Sequence, residues 1–154
     1  MENMLLVAAC ICGRYREEYG EMIDEMKLHK LMYFAQRESL IQQDAPLFAE
    51  TFRGWKYGPV LKELRAPYAS GKLWEPVDPG AEAKLRPVMD AVFAEFAPMD
   101  SFSLTRLTHS ELCWKKSRKG IPPADNSDVP IPTEDIRLDA LRIRQRREML
   151  KNMV

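Results

Sequence analysis

Few side chains in this sequence could do covalent or metal chemistry. The histidines are His29 and His109 and the cysteines are Cys10, Cys12 and Cys113. Zinc needs a closed set of ligands, usually four. On a helix, Cys10 and Cys12 would point about 200° apart, away from a common ion. The reading therefore assigns no metal and no cofactor, and takes the three cysteines as small buried apolar groups. His109 stands near Ser110, Glu111 and Cys113. A nucleophilic site would need a base and an orienting acid in register, and no G-x-S-x-G, Walker or Rossmann pattern accompanies the histidine. The reading is non-enzymatic, with an activity centred on His109 as the alternative. The plainer role for that ring is to tie a helix end to its neighbour.

The side chains better suited to binding are aromatic and basic. Trp55, Tyr57, Trp74 and Trp114 fall outside clear helical stripes. They serve either as lids on the core or as anchors for a partner, because such rings give a large contact area at low entropic cost. Arg137, Arg142, Arg144, Arg146, Arg147 and Lys151 crowd the last segment against Glu134, Asp135, Asp139 and Glu148. That face is either simply solvated, a dock for an acidic partner, or a weak phosphate contact. Without interleaved aromatics it is poor support for specific nucleic-acid readout.

Helices must position these groups. Residues 4–19 form a first helix ending near Gly20, and Asp24 is suited to cap a second over 26–42. In the second, Leu28, Leu31, Met32, Ala35 and Ser39 make one stripe, while Tyr33, Phe34, Leu40 and Ile41 extend it around the cylinder. Apolar on more than one side, it should be the hub of the core. Residues 47–55 read as a short strand or an irregular aromatic segment. Gly58 and Pro59 read as a helix start, since proline at the first helical position has its φ preset, and Pro67 stops or bends that helix.

Residues 70–80 read as loop, followed by a helix to about Phe96 that kinks at Pro87 or begins near Arg86. Ser101 or Ser103 caps a short helix carrying Leu104 and Leu107. Residues 119–132 hold Gly120, Pro122, Pro123, Asn126, Pro130 and Pro132 and read as an extended loop. Thr133 caps a final basic helix over 133–153. The fold class is mainly α, a compact bundle of about six helices in one domain spanning 1–154, with one short β-hairpin or extended segment allowed near 47–55.

The bulk numbers agree with one soluble domain. A chain of 154 residues can close a single core. Its 23 basic and 23 acidic side chains cancel, so no global pull toward nucleic acid or anionic lipid exists. Residues 1–55 hold 6 basic and 9 acidic side chains, and 113–154 hold 10 and 6, so the basic end is the last quarter. Three cysteines without framework spacing suit a reducing, cytoplasmic setting. The apolar run Met4–Cys12 is too short to span a bilayer, so no membrane is implied.

Three stretches together resemble one family. Lys27–Phe34 reads KLHKLMYF, Trp55–Val60 reads WKYGPV and Leu107–Trp114 reads LTHSELCW. In this order and spacing they are similar to the Panacea domain, also called SocA-like or GepA-like, over roughly Met4–Ile136. His29 stands where glutamine is common and Cys113 where proline is common. The resemblance implies an antitoxin of bacterial or prophage toxin–antitoxin pairs that neutralises a cognate toxin by direct protein contact. Some SocA-like members instead deliver a toxin to a protease. It also implies that Leu28, Leu31, Tyr33 and Phe34 belong to the hub helix, that Trp55, Tyr57, Gly58 and Pro59 form a signature turn, and that Thr108, His109 and Trp114 form the third motif. The partner-binding candidates are Trp55, Tyr57, Gly58, Pro59, His109 and Trp114, with Arg142, Arg144, Arg146 and Arg147 as a secondary basic surface. A nucleic-acid-binding regulator using the basic helix is an alternative reading, and a homodimer through that helix is a further expectation.

Overall fold

In the computed structural model, which describes residues 1–153, the second helix is the axis around which the others are laid. Helix α1 (Met4–Tyr19) opens on Asn3, whose side chain accepts from the Leu5 and Leu6 amides, and closes at Gly20 with φ 71°. Asp24 caps α2 (Glu25–Gln43) by accepting from the Lys27 amide at 2.8 Å. Every residue from Lys27 to Ile41 is buried. A helix with no solvated face needs cover on all sides, and α1, α4, α5, the hairpin and α7 all pack against it.

Chain order continues with β1 (Phe52–Trp55), β2 (Gly58–Val60), α3 (Lys62–Ala69), a 3-10 turn at Lys72–Trp74, α4 (Pro79–Glu95), α5 (Ser101–Ser110), α6 (Leu112–Ser117), β3 (Pro130–Ile131) and α7 (Thr133–Asn152). The strands form one antiparallel sheet in the order β2-β1-β3, with Trp55 opposite Gly58 and Phe52 opposite Ile131. Aromatic packing joins sheet and hub: Phe34 stacks on Phe96 at 3.9 Å, and Tyr33 meets Phe52 edge-on at 5.6 Å.

The mainly α class, the hub helix and the helices flanking it are as the periodicity predicts. Segment 47–55 divides in two. Gln36, fully buried, accepts from the Leu47 and Phe48 amides and donates to the Phe48 carbonyl. That satisfies the backbone without a ladder, and only Phe52–Trp55 forms a strand.

Gly58 and Pro59 do not start a helix. They lie in β2, and α3 begins at Lys62. On this edge strand a proline's missing N–H removes no second ladder. Helix α4 begins earlier than Arg86, at Pro79 with Asp78 as its cap, and runs on through Pro87. The cap of α5 is Asp100 rather than a serine, its Oδ1 accepting from the Ser103 amide at 2.7 Å. Thr133 is the first residue of α7 rather than its cap; Pro132 holds the cap position without a side-chain bond. The third motif breaks at Glu111 into α5 and α6, giving seven helices among the described residues, close to the six or so expected.

Candidate partner-binding face

The hairpin turn is built by three consecutive residue choices. Lys56 and Tyr57 have negative φ, and Gly58 returns the chain to β1 at φ 125°, a conformation that side chains other than glycine rarely adopt. A Cβ at Gly58 would also lie 2.9 Å from the Thr108 hydroxyl, so α5 sits directly on the turn. The Lys56 amide donates to Asn126 Oδ1 at 3.0 Å, which pins the turn to the proline-rich loop. Tyr57 stands at the tip, 57% exposed, with the Lys56 ammonium 4.9 Å from its ring centre. Gly58 and Pro59 are buried, so they shape the turn without offering side chains to a partner.

The break between α5 and α6 brings the third motif to the same place. Glu111 is extended, with φ −71° and ψ 130°, and the corner it makes stacks His109 on Trp114 at 4.1 Å and 11°. The Trp114 indole donates to the Trp55 carbonyl at 2.9 Å, and the Trp55 indole donates to Asp128 Oδ1 at 2.9 Å. Trp55, His109 and Trp114 are half-buried. Arg118 locks the assembly. Buried under Trp114, it donates to the carbonyls of Gly54, Pro122 and Asp125, so one guanidinium holds both hairpin and loop.

Burial disfavours the charged forms of two groups beneath this face, His109 and Lys30. His109 Nε2 is buried without a partner. Burial lowers the pKa of that ring, a backbone bond with Lys56 works the other way, and the cations Lys30 and Arg118 push it down again. Lys30, on α2, reaches under the turn, its Cε 3.8 Å from where a Gly58 Cβ would stand. Desolvation lowers its pKa too, with Asp24 opposing the shift.

Cys113 faces away from His109 and into the core. Its sulfur lies 3.1 Å from the Tyr33 hydroxyl, and its amide donates to Asp139 Oδ2 at 2.8 Å. Burial pushes its thiol well above the ordinary range, and pushes those of Cys10 and Cys12 up to about 11 and about 12. A thiolate is the reactive form, so these are inert groups at neutral pH. Glu111 accepts from both Tyr33 (2.8 Å) and Arg37 (2.7 Å), which spends it on the fold. Among the described residues, no cluster of three or more His, Cys, Asp or Glu side chains could hold a metal ion, and no helix is long and apolar enough to cross a membrane.

The basic set divides. Arg147 is committed to Glu38 through two bonds of 2.8 and 2.9 Å. Arg142 and Arg146, with no ion pair among the described residues, line a groove of about 450 Å³ together with Arg37, Glu95 and Asp139. Arg144 is half-buried and outside that groove. Trp55, Tyr57, His109 and Trp114 thus come together on one face, whereas Arg142, Arg146 and Arg147 line a groove walled on another side by Leu107, Ser110, Glu111 and Leu112 of the third motif.

Sequence reasoning missed Lys30, Arg118 and Asp128. For Lys30 a signal existed: Lys30, Phe34, Arg37 and Ile41 follow helical spacing, and two of the four are plainly core residues.

Compared with known proteins, residues 28–77 match the family model described as Antitoxin SocA-like, Panacea domain. The matched stretch runs from the hub helix through the whole hairpin and α3, and the third motif lies beyond it. No curated protein and no solved structure matches the chain. Residues 28–77, which hold most of the hub helix and the whole hairpin of this face, are thus similar to the SocA-like Panacea antitoxin domain.

Proposed function

We propose that this chain is an antitoxin that neutralises a cognate protein toxin by direct contact, and that the contact is made at the face around the hairpin turn. One observation supports the reading: the family match covers the hairpin and most of α2, two of the elements that build this face, while α5, α6 and the proline-rich loop lie beyond it. Tyr57 is the candidate anchor. Its backbone is held on both sides while its ring stands in solvent, so little freedom is left to lose on binding. The three cysteines are free and buried, which suits a reducing compartment such as the cytoplasm.

The test is co-expression in a bacterial host with the product of the neighbouring reading frame. Expected are rescue of growth and co-purification of the two proteins. Tyr57→Ala should weaken the complex about thirtyfold, in line with about 2 kcal/mol for an interface anchor, with no change in melting temperature. Equal affinity after Tyr57→Ala would put the contact elsewhere. Rescue that needs an ATP-dependent protease of the host would replace neutralisation by delivery for degradation.

A further inference from the structure

The charges of the whole chain cancel, but those around the hairpin do not. The hairpin with α3 (52–69) and α6 with the loop after it (112–131) hold eight Lys or Arg side chains against three acids, Glu63, Asp125 and Asp128. Asp128 is already in use, accepting from the Trp55 indole and pairing with Lys62. Arg65 pairs with Glu25 of α2, and Lys116 turns to Asp135 of α7. Arg53, Lys56 and Arg118 form no ion pair among the described residues. Arg118 spends its donors on backbone carbonyls, which satisfies its N–H groups and leaves its charge uncompensated.

The same cations sit against the rings of the face. The Lys56 ammonium is 4.9 Å from the centre of the Tyr57 ring, the Arg65 guanidinium 5.2 Å from that of Trp55, and the Arg118 guanidinium 5.7 Å from that of Trp114. The result is an exposed tyrosine at a turn tip, with positive charge on its own turn and on the elements beside it.

We infer that the protein partner presents an acidic surface to the hairpin face, an apolar socket for Tyr57 rimmed by Asp and Glu side chains; this rests on the reading of that face as the contact surface and adds the chemistry that the partner must bring. An aromatic anchor among cations is complemented by an apolar recess with a rim of opposite sign. The excess charge steers such a partner in and turns away basic surfaces. Nucleic acid is the poorer match. Trp114 is stacked by His109 and underlain by Arg118, and Trp55 carries Arg65, so these rings are partnered by side chains rather than laid open for stacking bases.

The experiment needs no toxin, because the three tryptophan indoles divide into two reporters and a control. Trp55 and Trp114 lie on the face, whereas Trp74 lies in the 3-10 turn and packs on Tyr68. The full-length isotope-labelled chain is titrated with hexaglutamate, with a neutral Gly-Ser hexapeptide and with a short DNA duplex, while the indole N–H resonances are followed. Hexaglutamate should shift Trp55 and Trp114 saturably, half-complete at about 1 mM, and leave Trp74 in place. Raising the salt from about 50 to about 300 mM should weaken it about threefold or more. Lys56→Glu should weaken it about fivefold or more and Lys56→Gln by less, while Arg142→Glu, in the groove beside α7, should change nothing. No saturable shift, an equal response at Trp74 or to the neutral peptide, or indifference to Lys56→Glu in a folded protein would overturn the assignment. So would a DNA duplex that saturates the same indoles below about 1 μM at physiological salt, which would make the face a nucleic-acid surface. Failure here leaves a co-expression result standing, and failure of co-expression leaves the anion preference of the face standing.

Discussion

Single residues at the hairpin carry two different kinds of constraint, and substitution separates them. Gly54 and Gly58 both lack room for a side chain, but only Gly58 has a positive φ, 125°. A Cβ at Gly54 would overlap the Ser117 hydroxyl and lie 2.9 Å from the Ser117 Cβ. Gly54→Ala should therefore be destabilising alone and largely rescued by Ser117→Gly, which removes the obstruction. Gly58→Ala should cost about 1–3 kcal/mol, and Thr108→Ala should recover only a part, because the backbone strain remains. Denaturant unfolding of the single and double variants measures both coupling energies. Equal rescue at the two positions would contradict the distinction.

For the elements, the decisive contact is the clasp between α2 and α7. Burial alone would raise the Glu38 carboxyl, but its bonds to Arg147, with help from Gln42 and Arg37, hold it below the ordinary range. A carboxyl depressed in the folded state contributes stability above its unfolded pKa, about 4.3. That contribution is lost as the pH falls through the lower folded value. Amide exchange in the last turns of α7 should therefore accelerate below about pH 4 in the wild type. Arg147→Met should show the faster exchange already at neutral pH, at a cost of about 2 kcal/mol, since a buried carboxylate is left short of its partner. Insensitivity of α7 exchange to both changes would mean that apolar packing alone holds the helix.

The helices were legible because their signals are local: the cap at Asp24 and a 3.6-residue apolar rhythm on α2 and α4. The hairpin was legible only in its first half: an extended or hairpin segment is expected near 47–55, but Gly-Pro also satisfies the rule for a helix start, and only pairing with Phe52–Trp55 decides between the two. A glycine two residues beyond Trp-Lys fits the close of a tight turn equally well. The site was half legible. Its aromatic residues stand out by type, whereas Lys30 and Arg118 look like solvated cations until the fold shows what covers them.

Across the whole molecule the hub is assembled from distant parts of the chain. Tyr33 and Arg37 meet Glu111 across 78 and 74 residues, and Glu38 meets Arg147 across 109. A chain ended at Ile131 would uncover one side of α2 and free Glu38. It should unfold without a sharp transition and be digested by trypsin at once, whereas the intact chain should unfold cooperatively and resist. A cooperative shortened chain would show that α7 is an accessory. The same clasp sets a timetable during synthesis. The hub emerges from the ribosome early, and the residue that closes the clasp, Arg147, follows Glu38 by 109 residues. Until then the nascent polypeptide carries an exposed apolar cylinder, which makes it a client for chaperones.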